Sequence, residues 1–116
     1  MRKHLPLSER TSYHCLEDVI GCKWSAGVVA AIHEGVHRPG ELERFIPGIS
    51  KKILTERLRK LLAYGLITRK EFPEKLPRVE YRLTSSGRKL ARILIQIRKL
   101  QDTVGPGPRP NRAGKR

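Results

Sequence analysis

A mainly helical α+β fold is predicted for this 116-residue chain by three observations. Apolar residues recur at helical spacing in several segments that Gly, Pro or Ser separate. Two short runs read as strands, Leu66 to Phe72 and Arg78 to Leu83, the second with apolar and charged residues in alternation, follow one another before the last helical segment. One helical segment, SKKILTERLRKLLAYG, is apolar along one side and basic along the other.

In chain order, residues 1–14 are polar and basic without a sustained period and are expected to form a basic N-terminal arm. Leu16, Val19 and Ile20 have the spacing of a short helix ending near Gly21. Ser25 is expected to cap the next helix, SAGVVAAIHEG, by accepting amide protons left unpaired in its first turn. That helix is apolar almost all round, which places it in the core, with Gly35 as its stop. Val36 to Arg38 reads as a short strand, so the hairpin further on has two or three antiparallel strands. PGELERF follows as a small helix with Leu42 and Phe45 turned inward.

IPGIS is a tight turn, because Pro47 cannot continue a helix and Gly48 can take a positive φ. Ser50 caps the basic helix and Gly65 closes it. At about 100° per residue, Leu54, Leu58, Leu61 and Leu62 share one arc, while Lys52, Thr55, Glu56, Arg59 and Ala63 face away. In the second strand Val79, Tyr81 and Leu83 alternate with Arg78, Glu80 and Arg82, and PEKLP joins the strands as an exposed loop. Thr84 or Ser85 begins the last helix, with a stripe of Leu90, Ile93, Leu94, Ile97 and Leu100 and with Ile95 off it. Residues 102–116, rich in Gly, Pro and bases, are expected to be a disordered basic tail, which leaves one domain over residues 15–101.

Lys and Arg number 25 against 11 Asp and Glu, a formal charge of +14, and such a surplus attracts polyanions. No apolar run approaches the roughly 20 residues that span a bilayer. The basic N-terminus lacks an apolar signal region, so no membrane partner and a cytoplasmic location are expected. Cys15 and Cys22 are too few for a disulfide scaffold or an all-cysteine zinc site. His33 and His37 are four apart, but Gly35 interrupts the helix that would align them. No catalytic motif is found, so neither an enzyme nor a cofactor or metal is expected.

Two helices joined by a short Gly-containing turn form a helix-turn-helix whose second helix enters the major groove of double-stranded DNA, and the hairpin behind it is a wing. The sequence therefore predicts a winged helix-turn-helix. Lys51 and Lys52 stand at the positive end of the helix dipole and are candidates for phosphate. Ser50 and Thr55 suit phosphate or base-edge hydrogen bonds. Arg59 can reach either a guanine edge or a phosphate, and both remain open. Glu56 can accept from a cytosine amino group or pair with Lys52 or Lys60 four residues away. Arg57 lies beside the apolar arc, where packing and internal pairing compete with phosphate. Lys75 and Arg78 are the wing candidates, and Arg38 and Arg44 are candidate flanking contacts. A sequence-blind chromatin-coating or RNA- or ribosome-associated winged helix would carry the same charge, although few exposed aromatics are expected for stacking on single strands.

Four stretches resemble one family: CLEDVIGCKWS (15–25), ELERFIPGISKKILTERLRKL (41–61), GLITR (65–69) and PRVEYRLTSSGRKL (77–90). Over roughly residues 13–100 the chain resembles the HxlR family of winged-helix transcriptional regulators. The resemblance implies a homodimer on a roughly palindromic operator that acts as repressor or activator, with the N-terminal and last helices building the dimer. Leu90, Ile93, Leu94, Ile97 and Leu100 are then the expected interface, and the stripe is indeed longer than so small a domain needs for its own core. The resemblance also makes Cys15 a candidate sensor of oxidants or electrophiles; it precedes a helix start, where the dipole favours thiolate. It names no small-molecule effector. Cys22 replaces a small residue usual in the family, Ala26 and Gly27 replace larger ones, and the tail bases Arg109, Arg112, Lys115 and Arg116 lie outside the pattern.

Overall fold

The computed structural model describes residues 14–105; residues 1–13 of the expected arm and all but the first few residues of the expected tail lie outside them, and His14, expected in the arm, begins a helix. Among the described residues, five helices and one hairpin follow in the order α1 (His14–Ile20), α2 (Lys23–His33), α3 (Pro39–Phe45), α4 (Lys51–Ala63), β1 (Ile67–Phe72), β2 (Arg78–Leu83) and α5 (Ser85–Val104). The two strands pair antiparallel, from Ile67 opposite Leu83 to Phe72 opposite Arg78.

The core forms around α2, whose Val28, Val29, Ala31 and Ile32 are buried among Leu42 of α3, Leu54, Leu58 and Leu61 of α4, and Leu90 and Ala91 of α5. Each leucine taken out of water contributes roughly 1.5–3 kcal/mol, so the three on α4 fix which side of that helix faces the protein. Ser50 caps α4 as expected, its hydroxyl accepting from the Ile53 amide at 3.0 Å. The preceding turn needs Gly48, which has φ 84°. Replacing Ser50 with alanine is expected to lower stability by about 1 kcal/mol, read as a lower urea midpoint at unchanged slope.

Several expectations need correction. Helix α2 begins two residues before Ser25, with Cys22 at the cap position; Ser25 is inside the helix and only 1% exposed. The Lys23-Trp24 pair starts the helix because nothing in it breaks helical geometry, and the buried hydroxyl of Ser25 serves a different contact. Phe45 is not inward: α3 turns Leu42 into the core, and three residues on leaves Phe45 51% exposed. Residues 36–38 form no strand. They meet the hairpin at one residue, where the Tyr81 amide donates to the His37 carbonyl at 2.8 Å and His37 Nδ1 lies 3.0 Å from the Tyr81 carbonyl oxygen. The sheet is thus two-stranded, and β1 starts at Ile67 rather than Leu66. Helix α5 continues to Val104, so residues 102–104 belong to it and not to the tail.

Thr84 joins the hairpin to α5. Its hydroxyl accepts from the Gly87 amide at 3.0 Å and donates to the Gly65 carbonyl at 2.7 Å, and its amide donates to the Leu66 carbonyl at 3.0 Å. Gly87 is buried against Leu66, close enough that a Cβ would stand 2.0 Å from the Leu66 carbonyl oxygen.

Candidate nucleic-acid interface

The outward face of α4 carries Lys51, Lys52, Thr55, Glu56 and Arg59, all exposed, with Ser50 exposed at the cap. Among the described residues no ion pair engages Lys51, Lys52 or Arg59. Their charges are therefore available to an outside anion, and two of them sit on the first turn, where unpaired amides add to the pull. Glu56 forms neither of the expected i, i+4 pairs. It lies 3.5 Å from Arg57 instead, and Lys60 reaches across to Asp18 of α1 at 3.2 Å.

Behind that face runs a polar seam. Arg57 Nη1 donates to Cys22 Sγ at 3.6 Å and to Ser25 Oγ at 3.5 Å, and the arginine side chain is only 14% exposed. Internal pairing has therefore won over phosphate for Arg57. About two helical turns further along, the Tyr64 hydroxyl donates to Asp18 Oδ2 at 2.5 Å. The Tyr64 bond holds the Asp18 carboxyl below its ordinary range, with Lys60 helping against partial desolvation. The same bond pushes the Tyr64 phenol up to about 12. A depressed carboxylate stabilises the fold above its ordinary pKa of 3.8, and that contribution is lost as pH falls through its native value. At Cys22, burial alone would push the thiol up; the amides of Ser25 and Trp24, the Ser25 hydroxyl and the Arg57 guanidinium outweigh it, and the thiol ends below its ordinary value.

The wing divides its two candidates. Lys75 is exposed in the loop between the strands. Arg78 is engaged within the hairpin: it donates to Glu74 at 2.6 Å and Glu80 at 3.1 Å, and its guanidinium lies 4.0 Å from the centre of the Phe72 ring. It shapes the wing rather than standing free on it. Arg38, at the cap of α3, and Arg44, in its last turn, are both exposed. Arg69 and Lys70 of β1, both exposed, are not among the residues expected from the sequence; the signal for them is the unbroken polar run Thr68 to Glu71, which leaves neither face of the strand a core to cover. Arg69 pairs with Glu71 at 2.7 Å, and Lys70 lies 5.1 Å from the centre of the Phe72 ring.

The stripe of α5 splits likewise. Leu90 is 3% exposed within its own subunit, and Leu94 packs against the same core, so Leu90 is removed from the expected interface residues. Ile93, Ile97, Leu100 and Val104 are exposed, as are Leu16 and Ile20 of α1. Cys15 is exposed on α1.

Residues 19–107 match the HxlR-like helix-turn-helix family. The chain belongs to that family. This HxlR-like chain is 45% identical over 83 residues to the HTH-type transcriptional regulator sll1512 of Synechocystis, a match that covers 72% of this chain and 62% of that one. The redox regulator HypR in its oxidized form superposes with a TM-score of 0.70 at 34% identity, covering 78% of this chain and 94% of HypR. The reduced form of the transcriptional regulator YodB from Bacillus subtilis superposes with a TM-score of 0.70 at 25% identity, covering 89% and 100%. The winged helix-turn-helix is the fold of this HxlR-like chain, and no helix among its described residues is long and apolar enough to cross a membrane.

Proposed function

We propose that this HxlR-like regulator acts in the cytoplasm as a homodimer that reads a palindromic operator through α4. One observation carries the reading: Lys51, Lys52, Thr55 and Arg59 stand exposed, with no ion pair to the described residues, on a helix whose other side is anchored in the core. Lys51 and Lys52 hold phosphates, Thr55 and Arg59 lie where base edges or phosphates are within reach, and Lys75, Arg38 and Arg44 flank them on the backbone. The exposed apolar residues of α5 and α1 supply the dimer face. A dimer sets two copies of α4 about one DNA turn, roughly 34 Å, apart. Selection from random duplexes followed by footprinting at physiological salt tests this. A protected palindrome is expected, whereas salt-sensitive binding without preference would favour the sequence-blind alternative. Replacing Lys75 with alanine is expected to weaken all duplexes alike, measured by titration of selected and random DNA side by side.

A thiol response is proposed beside DNA reading. The similarity to HypR and YodB, one described as a redox regulator and the other solved in a reduced form, favours it, with exposed Cys15 as the expected sensor. Mass spectrometry after mild peroxide or quinone treatment should find Cys15 modified and DNA affinity changed; an intact Cys15 with unchanged affinity removes that assignment. Cys22 gives a separate reading. Because its thiol is held below the ordinary value, its alkylation by iodoacetamide is expected to rise with pH at a lower midpoint than that of an unperturbed thiol. Arg57→Gln should move that midpoint upward.

A further inference from the structure

On the flank of α4 that faces neither the core nor the solvent squarely, the helix, the start of α3 and the hairpin enclose a cleft of about 480 Å³. Its floor is apolar, formed by Leu54, Leu58, Leu62 and Tyr81. Its rim carries three cations, Lys51, Arg59 and Arg69, and one carboxylate, Glu43. Arg69 is held in place by its pair with Glu71 at 2.7 Å. Counting Glu71 as well, the surroundings stay net positive by one charge, inside a chain of net charge +14.

Volume and lining together limit what can fit. Small-molecule sites have about 300–1,000 Å³ and combine an apolar lining with a few convergent polar groups, which describes this cleft. A bare phosphate would leave the leucine and tyrosine floor unused, and a neutral hydrocarbon would leave the cations unused. We propose that the cleft between α4 and the hairpin binds a small amphipathic carboxylate with an aromatic or branched apolar body, and that its occupancy competes with duplex DNA. The apolar body covers Leu62 and Tyr81, and the carboxylate accepts hydrogen bonds from the oriented guanidinium of Arg69 and from Lys51 or Arg59. Lys51, Thr55 and Arg59 line the cleft and also belong to the DNA-facing side, so the two occupants draw on the same side chains. The competitive half rests on the DNA reading above; the binding half does not. By linkage, the factor by which the ligand weakens DNA binding equals the factor by which DNA weakens the ligand.

The test uses the full chain and 2-naphthoate as probe, with 2-naphthalenemethanol as the neutral analogue and acetate as the anion without the body. Binding is followed by amide chemical shifts and repeated at constant ionic strength with a selected duplex. Naphthoate is expected to shift Leu62 and Tyr81, to bind at least tenfold more tightly than either control, and to lose at least tenfold in Arg69→Gln. Saturating naphthoate is expected to weaken duplex binding at least fivefold. Leu62→Phe, which fills the floor without touching a charge, gives a second variant in which naphthoate binding should fall. Equal binding of alcohol and carboxylate, unchanged binding in both variants, or shifts confined to a second groove, lined by Ala26 and Ala30 of α2 and Ala91 and Leu94 of α5, would overturn the site. Naphthoate binding in the cleft with no effect on duplex affinity would overturn the competition. Naphthoate binding as expected in a protein that binds no duplex would support the site and defeat the DNA reading instead.

Discussion

Arg59→Ala is expected to lower affinity for the selected operator by about 1–3 kcal/mol per half-site, roughly 5- to 150-fold in Kd, if the guanidinium meets a guanine edge. The size follows from geometry. Arg59 lies one turn beyond Thr55 on the exposed face, and no carboxylate among the described residues neutralises it. In a symmetric dimer the loss is incurred twice, so the effect on a full palindrome should be about double that on a half-site at the same salt. Random duplexes should lose much less. If Arg59 instead holds a phosphate, selected and random DNA should lose equally and the salt slope should fall by about one. Titration of both duplexes at three salt concentrations separates the outcomes. Lys52→Ala serves as the comparison, since at the helix N-terminus it is assigned to phosphate. Arg57→Ala, two residues from Arg59, should instead show its main effect on folding and on the Cys22 thiol, because its guanidinium is turned to Cys22 and Ser25.

Gly87→Ala should be the most damaging single-methyl substitution in the fold. The added carbon would fall 2.0 Å from the Leu66 carbonyl oxygen and 3.1 Å from the Leu66 carbonyl carbon, and both are backbone atoms that cannot swing aside. Relief requires α5 to lift from the hairpin, straining the bonds Thr84 makes to Gly65 and Gly87. Overpacking of this kind costs about 1–3 kcal/mol and sometimes more, which in a domain of this size lowers Tm by about 4–8 °C for each kcal/mol. Gly27→Ala is the control. There the nearest atom to a new Cβ is Ile46 Cγ2 at 4.0 Å, an ordinary contact, and a glycine inside α2 gives way to a better helix former. That variant should be neutral or stabilised by up to about 1 kcal/mol. Thermal unfolding of the two variants beside the parent chain is the measurement.

Local signals made much of this fold legible. The leucine period of α4, its Ser50 cap and the glycine after it are all written within sixteen consecutive residues, and all three appear in the structure. The same holds for Thr84 ahead of α5 and for the alternation in β2. What the sequence hid are contacts between residues far apart in it. Asp18 meets Lys60 and Tyr64 at separations of 42 and 46 residues, and Arg57 meets Ser25 at 32. No periodicity encodes such pairs, so Ser25 read as a cap although its hydroxyl is taken by an arginine on another helix. The engagement of Arg78 is hidden for a related reason. Its neighbours Glu74 and Glu80 are close in sequence, but only the hairpin brings both carboxylates and the Phe72 ring to one guanidinium. The α5 stripe is visible as a pattern, but a pattern does not show that its first leucine is spent inside the subunit while Ile93, Ile97 and Leu100 emerge from it.

The most direct measurement is an amide and side-chain chemical-shift map of the full chain with a duplex obtained by selection, at physiological salt. The expected result is a continuous patch of large shifts over Ser50, Lys51, Lys52, Thr55 and Arg59, joined by Lys75, with Leu54 and Leu61 nearly still. Shifts concentrated on α1 and α5, with the outward side of α4 unmoved at saturating duplex, would contradict it.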